Sequence, residues 1–394
     1  MWMTGGGILG ISYRLFTELA GGNNDEGHNP RNKKSRTWRA LSKVKTRRRV
    51  MLSGTPFQNN CVELLNTLCL VNPRFSSQTA SSSGRKRKSS NSGDFKLKKL
   101  RSMIEPFVHI NKGGILEKTL PGMRDFLILL KPTDLQKKLL QKNIEPHPGK
   151  FFEQEHLASL ISVHPALVSK RPEFSDHKRE VKLVEFDPDA GVKTRFLVKL
   201  IQLSSRLGEK VLVFSQYIDP LEHIKSLLAK HFSWNEGREM IYLDGKCLMN
   251  ERQRLMNLFN DKRSEAKVML ASQKACSEGI NLVGASRVVL LDVVWNPSVQ
   301  RQAICRAYRH GQEKVVHVYR LLTSAEVDKY ARQAEKERIS ELIFSPGDKG
   351  ETISVCNEGV EKDKVLEAMV GHQSLGGMFE KIVSQPKESD DFIL

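Results

Sequence analysis

Asp25 and Glu26 sit side by side in "DEGH" (25–28). In such a pair the first carboxylate can hold Mg2+, directly or through water, and the second can take a proton from an attacking water. Taken alone, the four residues equally suit an exposed acidic loop capping a helix, and the adjacent Asn29-Pro30 marks a turn or helix start. Further along, "LSGTPFQNN" (52–60) places Ser53, Gly54 and Thr55 after an apolar run. Their hydroxyls and exposed backbone suit the sensing of a phosphate or a neighbouring acid, and they also suit an ordinary strand-to-helix cap.

Two later stretches extend the set. In "VQRQAICRAYRHGQ" (299–312), a helix would place Gln302, Arg306 and Arg309 at i, i+4 and i+7 on one face, with Gly311 at its end. Two permanently charged guanidinium groups one turn apart make a clamp for phosphate oxygens. A positioned arginine is worth ~10³–10⁵ in rate in phosphoryl transfer. The plain alternative is a solvated basic face. In "SEGINLVGAS" (277–286), Gly279 permits close backbone approach and Asn281 can meet a ligand or a nucleic acid, unless the stretch is only a loop between strands. Acids, hydroxyls, a permissive loop and paired arginines together are the parts that nucleoside triphosphate hydrolysis requires.

Such groups need a scaffold. From about Gly191 onward, apolar runs recur at 211–215, 240–243, 267–271, 287–292 and 315–322, alternating with helical patterns such as "DPLEHIKSLLAKHF" and "NERQRLMNLFN". This predicts right-handed βαβ units and a parallel sheet covered on both faces. Ligands then bind beyond the carboxyl ends of the strands. The informative positions are therefore Ser53-Gly54-Thr55, Ser215-Gln216 after "VLVF", and Asp292 after "VVLL". Upstream, "ILGIS" and "RVMLSG" read as short strands and "CVELLNTLCLV" (61–71) as a helix. A strand is expected over 126–130 and a helix from Asp134, while the tail from about 346 carries one short helical pattern around "KVLEAMV".

Composition narrows the partners. Lys and Arg number 63 against 45 Asp and Glu, a net charge of +18, which favours polyanions, nucleic acid above all. The serine-rich stretch 76–93 cannot build a core and reads as a disordered insert. Its Arg85, Lys86, Arg87 and Lys88 fit a nuclear import signal or a basic solvated loop. Six scattered cysteines, with no C-x-x-C pair, give neither a zinc site nor a disulfide framework and point to a reduced compartment. No apolar run has the length to span a bilayer, and the first residues do not read as a signal peptide.

The ordered string DEGH, SGTPFQNN, VLVFSQ, SEGINL, WNP and QRQAICRAYRHGQ resembles the motif set of the Swi/Snf-type remodeller ATPases of helicase superfamily two, over roughly 25–325. The wording "KACSEGINLVGASRVVLLDVVWNPSVQRQAICRAYRHGQ" is similar to that of the plant CLASSY group. The resemblance implies an α/β fold of two RecA-like lobes with parallel sheets, the first partial and the second complete. Residues 1–110 would be the partial first lobe, 111–190 an inter-lobe region, 191–345 the second lobe and 346–394 a tail. It implies ATP and Mg2+ as cofactors, with Asp25 as metal ligand, Glu26 as water-activating acid, and Arg306 and Arg309 as arginine fingers. Gly279 and Gln302 would meet ATP. Ser53, Gly54, Thr55, Ser215, Gln216 and Asn281 would couple hydrolysis to DNA. Double-stranded DNA or chromatin is the implied partner, in the nucleus and away from membranes. Through the CLASSY likeness come RNA polymerase IV, small interfering RNA and RNA-directed DNA methylation.

One departure stands out. The family's phosphate loop ends in Gly-Lys-Thr or Gly-Lys-Ser, and this sequence contains neither. "TGGGILG" (4–10) is glycine-rich but is not followed by that pair, and "GGILGISYRLF" resembles a later family segment instead. "ELAGGNN" also puts no apolar run before Asp25 to aim its carboxylate. The expectation is an incomplete copy that does not hydrolyse ATP by itself. The alternative is a catalytically inactive basic scaffold for DNA or a polymerase.

Overall fold

The computed structural model describes residues 32–43, 49, 51, 61–72, 102–106, 108–109, 119–143, 151–275, 280–344 and 363–385. Asp25, Glu26, Ser53, Gly54, Thr55, Gly279 and the insert with Arg85, Lys86, Arg87 and Lys88 lie outside them. So does most of the sequence read as strands in "ILGIS" and "RVMLSG".

The chain divides into two compact units, Met1–Ile110 with Ser340–Phe344, and Asn111–Ile339 with Ser345–Leu394. In the first, α1 (Arg36–Ser42) starts at Ser35, whose hydroxyl accepts the Trp38 backbone N–H. This satisfies one donor that the first turn leaves open. The expected helix at 61–71 forms as α2 (Cys61–Val71), with Leu64, Leu68 and Leu70 buried. Trp38 Nε1 donates to the Asn66 carbonyl at 3.2 Å and joins α1 to α2.

The second unit is a seven-stranded sheet of order β3-β4-β2-β5-β6-β1-β7. Its elements run β1 (Met123–Leu130), α3 (Asp134–Asn143), α4 (Phe151–Val163), α5 (Val192–Arg206), β2 (Lys210–Ser215), α6 (Ile218–Phe232), β3 (Met240–Leu243), α7 (Met249–Asn260), β4 (Val268–Ser272), β5 (Ala285–Leu290), α8 (Pro297–Ala307), β6 (Val316–Thr323), α9 (Val327–Phe344, as far as Ile339), α10 (Lys364–Gly371) and β7 (Phe379–Gln385). All neighbours pair in parallel except β7, which runs antiparallel to β1.

The period-2 geometry of a strand sends alternate residues of β2 to opposite faces. Val211 and Val213 join a core with Phe196 of α5 and Leu221 and Ile224 of α6. Leu212 and Phe214 join a second core with Phe259 of α7 and Ile304 of α8. Both faces are therefore dry, which is why the strands read as unbroken apolar runs rather than as alternating ones. Chain order reverses beside β2, with β4 on one side and β5 on the other, so the crevice of the fold opens beyond the carboxyl ends of these strands.

The sheet reaches beyond 191–345 at both ends. The strand expected over 126–130 forms within β1 and pairs with β6 from Met123↔Val316 to Leu130↔Thr323. From the tail, α10 and β7 extend the same sheet. A buried arginine holds that tail in place. Arg287 of β5 donates through Nε to Glu209 (2.5 Å) and through Nη1 to Asp363 (2.8 Å) and the Tyr319 hydroxyl. Tyr319 in turn donates to Asp363 (2.6 Å), and Asp363 caps α10 by accepting the Val365 N–H.

His223 of α6 meets His164 in a pair of neutral histidines, with ring centroids 4.5 Å apart. His164 Nδ1 accepts the Ala166 N–H, so its proton is on Nε2, which donates to the Asp187 carbonyl. Burial lowers both pKa values, that of His223 to about 3. A depressed histidine contributes stability that is complete above its unfolded value near 6.5 and is lost as pH falls toward the folded value. Between pH 7 and 5 this pair alone is expected to subtract about 1–3 kcal/mol of unfolding free energy. His223→Phe, which keeps a ring but removes a titrating group, should flatten that loss in denaturant melts. An unchanged slope in the variant would refute the assignment.

Candidate functional site

Ser215 ends β2 and Asp292 follows β5, so both stand at the mouth of the crevice. Ser215 Oγ donates to Asp292 Oδ2 at 2.6 Å and accepts the Tyr217 N–H at 3.0 Å. The Gln216 backbone N–H reaches both carboxylate oxygens, at 3.2 and 3.0 Å, and its side-chain amide donates to the Val293 carbonyl. Burial pushes the Asp292 carboxyl up to about 6, against the pull of Ser215, Gln216 and the Lys193 ammonium. The sequence marks Asp292 only as a strand-end position. Its role, holding the two strand ends together, comes from the structure.

From Asp292 the order passes into α8. Asn296 caps this helix by accepting the Ser298 N–H, and Pro297 occupies its first turn, where no N–H is needed. Gln300 Nε2 donates to the Asp292 carbonyl at 2.9 Å. Gln300 Oε1 accepts from Arg320 and Gln333, each at 2.9 Å. Arg320 grips Asp125 of β1 bidentately at 2.8–3.1 Å. The amino end of α8 is thus fixed to β1, β5, β6 and α9.

At the other end the expectation needs correction. The helix stops at Ala307 with Tyr308 as its cap, so Arg309 and Gly311 lie past it. Tyr308 has ψ 83°, outside the helical range, and the chain turns there. Gly311, at φ +98°, serves the loop that follows and not the helix end. Gln302 and Arg306 remain on α8, both half-buried. Arg309 is exposed, with Nη1 3.4 Å from the Ile280 carbonyl.

The stretch 280–284 packs on this end of α8. The Leu282 N–H donates to the Arg306 carbonyl at 2.8 Å. Gln312 Nε2 bridges the carbonyls of Val283, Ala285 and Ala307. Asn281 is exposed, and its carbonyl accepts from Asn260. Gly284 lies so near α7 that an added Cβ would sit 2.6 Å from the Phe259 carbonyl oxygen. The structure therefore gathers Asn281, Arg306 and Arg309 at one place, and Ser215 and Gln216 at another.

A further cluster had only its WNP segment marked in the sequence. Trp295, Phe151 and Phe152 pack ring to ring, with centroids 5.5–6.4 Å apart. Phe152 is 76% exposed and Phe151 45%. Lys329, Arg332 and Lys336 of α9 lie 5.3–6.0 Å from the Trp295 ring. Two adjacent phenylalanines at the start of a helix were the available signal, but their partners are far away in the chain. Among the described residues, no three His, Cys, Asp or Glu are placed to hold a metal ion together, and no helix is long and apolar enough to cross a membrane.

Residues 24–176 match the SNF2-related domain, and residues 192–311 match the helicase conserved C-terminal domain. SNF2 domain-containing protein CLASSY 3 of Arabidopsis thaliana is 44% identical over 99% of this chain and 32% of its own length. This chain belongs to the SNF2 family. CLASSY 4 of the same plant is 42% identical over 99% of this chain and 37% of its own length. DNA repair protein rhp54 of Schizosaccharomyces pombe is 29% identical over 81% and 41%. The C-terminal part of the Fun30 ATPase domain aligns at TM-score 0.41 and 22% identity, covering 63% of this chain and 97% of that one. The SNF2 chain spans about a third of the length of the CLASSY proteins it matches. Its second unit has the α/β, mostly parallel architecture expected of a RecA-like lobe.

The buried carboxylate yields a pH-dependent test. Because its pKa is raised, Asp292 keeps its proton in the fold up to about pH 6. The stability tied to the neutral form is complete below the unfolded value and is lost as pH rises through about 6. Ser215→Ala removes a donor to the ionised form, so it should cost ~1–3 kcal/mol at pH 8 and much less at pH 5. Urea unfolding at both pH values checks this, and equal losses would contradict it.

Proposed function

We propose that this chain is the C-terminal part of an ATP-driven DNA translocase acting on chromatin. One observation carries the reading. Arg306 and Arg309 stand beside the stretch 280–284 at the carboxyl end of α8, whose amino end is locked to the sheet through Gln300. Always-charged groups on a fixed support are what stabilise charge on a transferring phosphoryl group without reorganisation. ATP and Mg2+ fit this chain in part. The two arginines suit phosphate oxygens, Gln302 and Gly279 the nucleotide, Asp25 the metal and Glu26 the water. Bound Mg2+ would neutralise charge on the phosphates. No Gly-Lys-Ser or Gly-Lys-Thr cradle occurs in the 394 residues. We therefore assign hydrolysis to a longer protein that has one, and not to this chain alone.

Ser53, Gly54, Thr55, Ser215, Gln216 and Asn281 serve in the same reading as the groups that link hydrolysis to the grip on DNA. The biological setting follows the CLASSY likeness: the nucleus, reached through Arg85, Lys86, Arg87 and Lys88, and RNA-directed DNA methylation with small interfering RNA and RNA polymerase IV. A second reading, a basic scaffold for DNA or a polymerase, is favoured by the net charge of +18 and by the ring-and-cation cluster at Trp295. Bases stack on exposed rings while cations take the phosphates.

DNA-stimulated phosphate release decides between the readings. This chain should release none. In a longer form with a Gly-Lys-Ser or Gly-Lys-Thr segment, Arg306→Ala should lower kcat by ~10³ or more and leave DNA affinity within a few-fold. Turnover by this chain that is abolished by Glu26→Gln would sink the proposal. Turnover absent from both forms, with DNA affinity steep in salt and indifferent to ATP, would establish the scaffold.

A further inference from the structure

Away from the crevice, α5, the end of α6 and the turn after α10 border an open pocket of about 190 Å³, lined in part by Asp189, Arg195, Lys199, His231, Ser374 and Leu375. Arg195 and Lys199 are four residues apart on α5 and so point to one side. Arg195 is set in place. Its Nη2 donates to the Ser374 carbonyl at 2.6 Å, and its Nε lies 3.3 Å from Asp189 Oδ1. That Nε is buried and makes no hydrogen bond. A guanidinium has five N–H donors, and the Ser374 carbonyl takes one of them. Lys199 is half-buried and has no carboxylate or hydrogen-bond partner among the described residues. His231 adds an imidazole to the lining.

The charge balance favours an anion. Two permanent cations face one carboxylate, and the Asp189 side chain is itself 68% exposed to water. A concave, partly apolar wall concentrates the field of such cations. A surface lysine that merely solubilises has no reason to converge on an arginine already pinned at a pocket. The volume lies below the ~300 Å³ at which ordinary small-molecule pockets begin, so a whole nucleotide does not fit the space. A tetrahedral oxyanion does, since guanidinium, ammonium and imidazole offer donors from several directions.

We propose that this pocket binds a phosphate group, presented by a phosphorylated side chain or by a free phosphate compound. Ser374 and Leu375 belong to the turn between α10 and β7, so a bound phosphate would also fasten that turn to α5 through Arg195.

Calorimetric titration of the full chain at fixed ionic strength tests this, with inorganic phosphate, a short phosphoserine peptide and its unphosphorylated counterpart. One saturable site for phosphate is expected, with a Kd of about 1 mM, in the range of weak specific binding. Lys199→Glu should weaken that site roughly tenfold or more by reversing one charge, without changing the melting temperature of the ligand-free chain. Arg195→Lys keeps the charge but loses the planar fork, and should weaken it as well. Tighter binding of the phosphopeptide than of phosphate assigns the source as a phosphorylated side chain. Equal or weaker binding assigns a free phosphate compound. Basic runs elsewhere also attract phosphate, but they are untouched by Lys199→Glu. Absence of a saturable site, or a site indifferent to both substitutions, overturns the proposal.

Discussion

A carboxylate without water holds the crevice of this fold together. Taking Asp292 out of solvent disfavours its charge, and its raised pKa registers that cost. What offsets it is local: one hydroxyl, one backbone N–H shared between the two oxygens, and the field of a buried ammonium. Because these donors come from residues 215 and 216, satisfying the carboxylate and joining β2 to β5 are one event. A hydrogen bond to a charged group is worth ~1.5–3 kcal/mol, whereas an unsatisfied buried group costs its full desolvation. The geometry is therefore held more by the penalty for breaking it than by the gain from making it.

The same logic runs along the floor of the crevice. Lys193 is fully buried at the start of α5, pairs with Glu326 at 2.6 Å, and donates to the Leu291 carbonyl one residue before Asp292. Glu326 closes a capping box with Thr323 at the end of β6. One ammonium thus links the first turn of α5, the end of β5 and the turn into α9. A buried pair of this kind adds little net stability over an apolar substitute, but removing one partner costs ~3–5 kcal/mol. Its effect is to fix positions. The Gln300, Arg320 and Asp125 chain does the same for α8, so the helix that carries Arg306 is anchored at its amino end on three strands and on α9.

Much of this was legible in the sequence, for a physical reason. Strands buried on both faces must be apolar throughout, so β2 to β6 announced themselves as runs, and the helices between them as periodic stretches. Strand-end residues followed from the rule that ligands meet the carboxyl edge, which brought Ser215, Gln216 and Asp292 into view. Of the tail, the helix around "KVLEAMV" was legible as α10, but the strand was not. "FEKIVSQ" is short and mixed, and it becomes β7 by pairing with β1 while Arg287 anchors Asp363 ahead of it. Local pattern has no access to such a contact between distant residues. Arg309 was misplaced for a related reason. Helical spacing runs smoothly through 299–309, and the stop at Ala307 is made by the stretch 280–284, whose Leu282 N–H takes the Arg306 carbonyl. The Trp295 cluster escaped because its rings come from residues 151–152 and 295, and its cations from α9.

That displacement of Arg309 bears on what the arginines do. A cation in the last turn of a helix gains ~0.3–1 kcal/mol from the helix dipole, enough to explain Arg306 with no ligand at all. It does not explain Arg309, which lies beyond the helix, is exposed, and among the described residues makes a long 3.4 Å contact with a loop carbonyl. An exposed arginine there contributes little to the fold. The two guanidinium groups also differ in support, Arg306 riding on an anchored helix and Arg309 on the turn after it. A basic face selected only for solubility would need neither the anchoring of α8 nor the packing of 280–284 against its end.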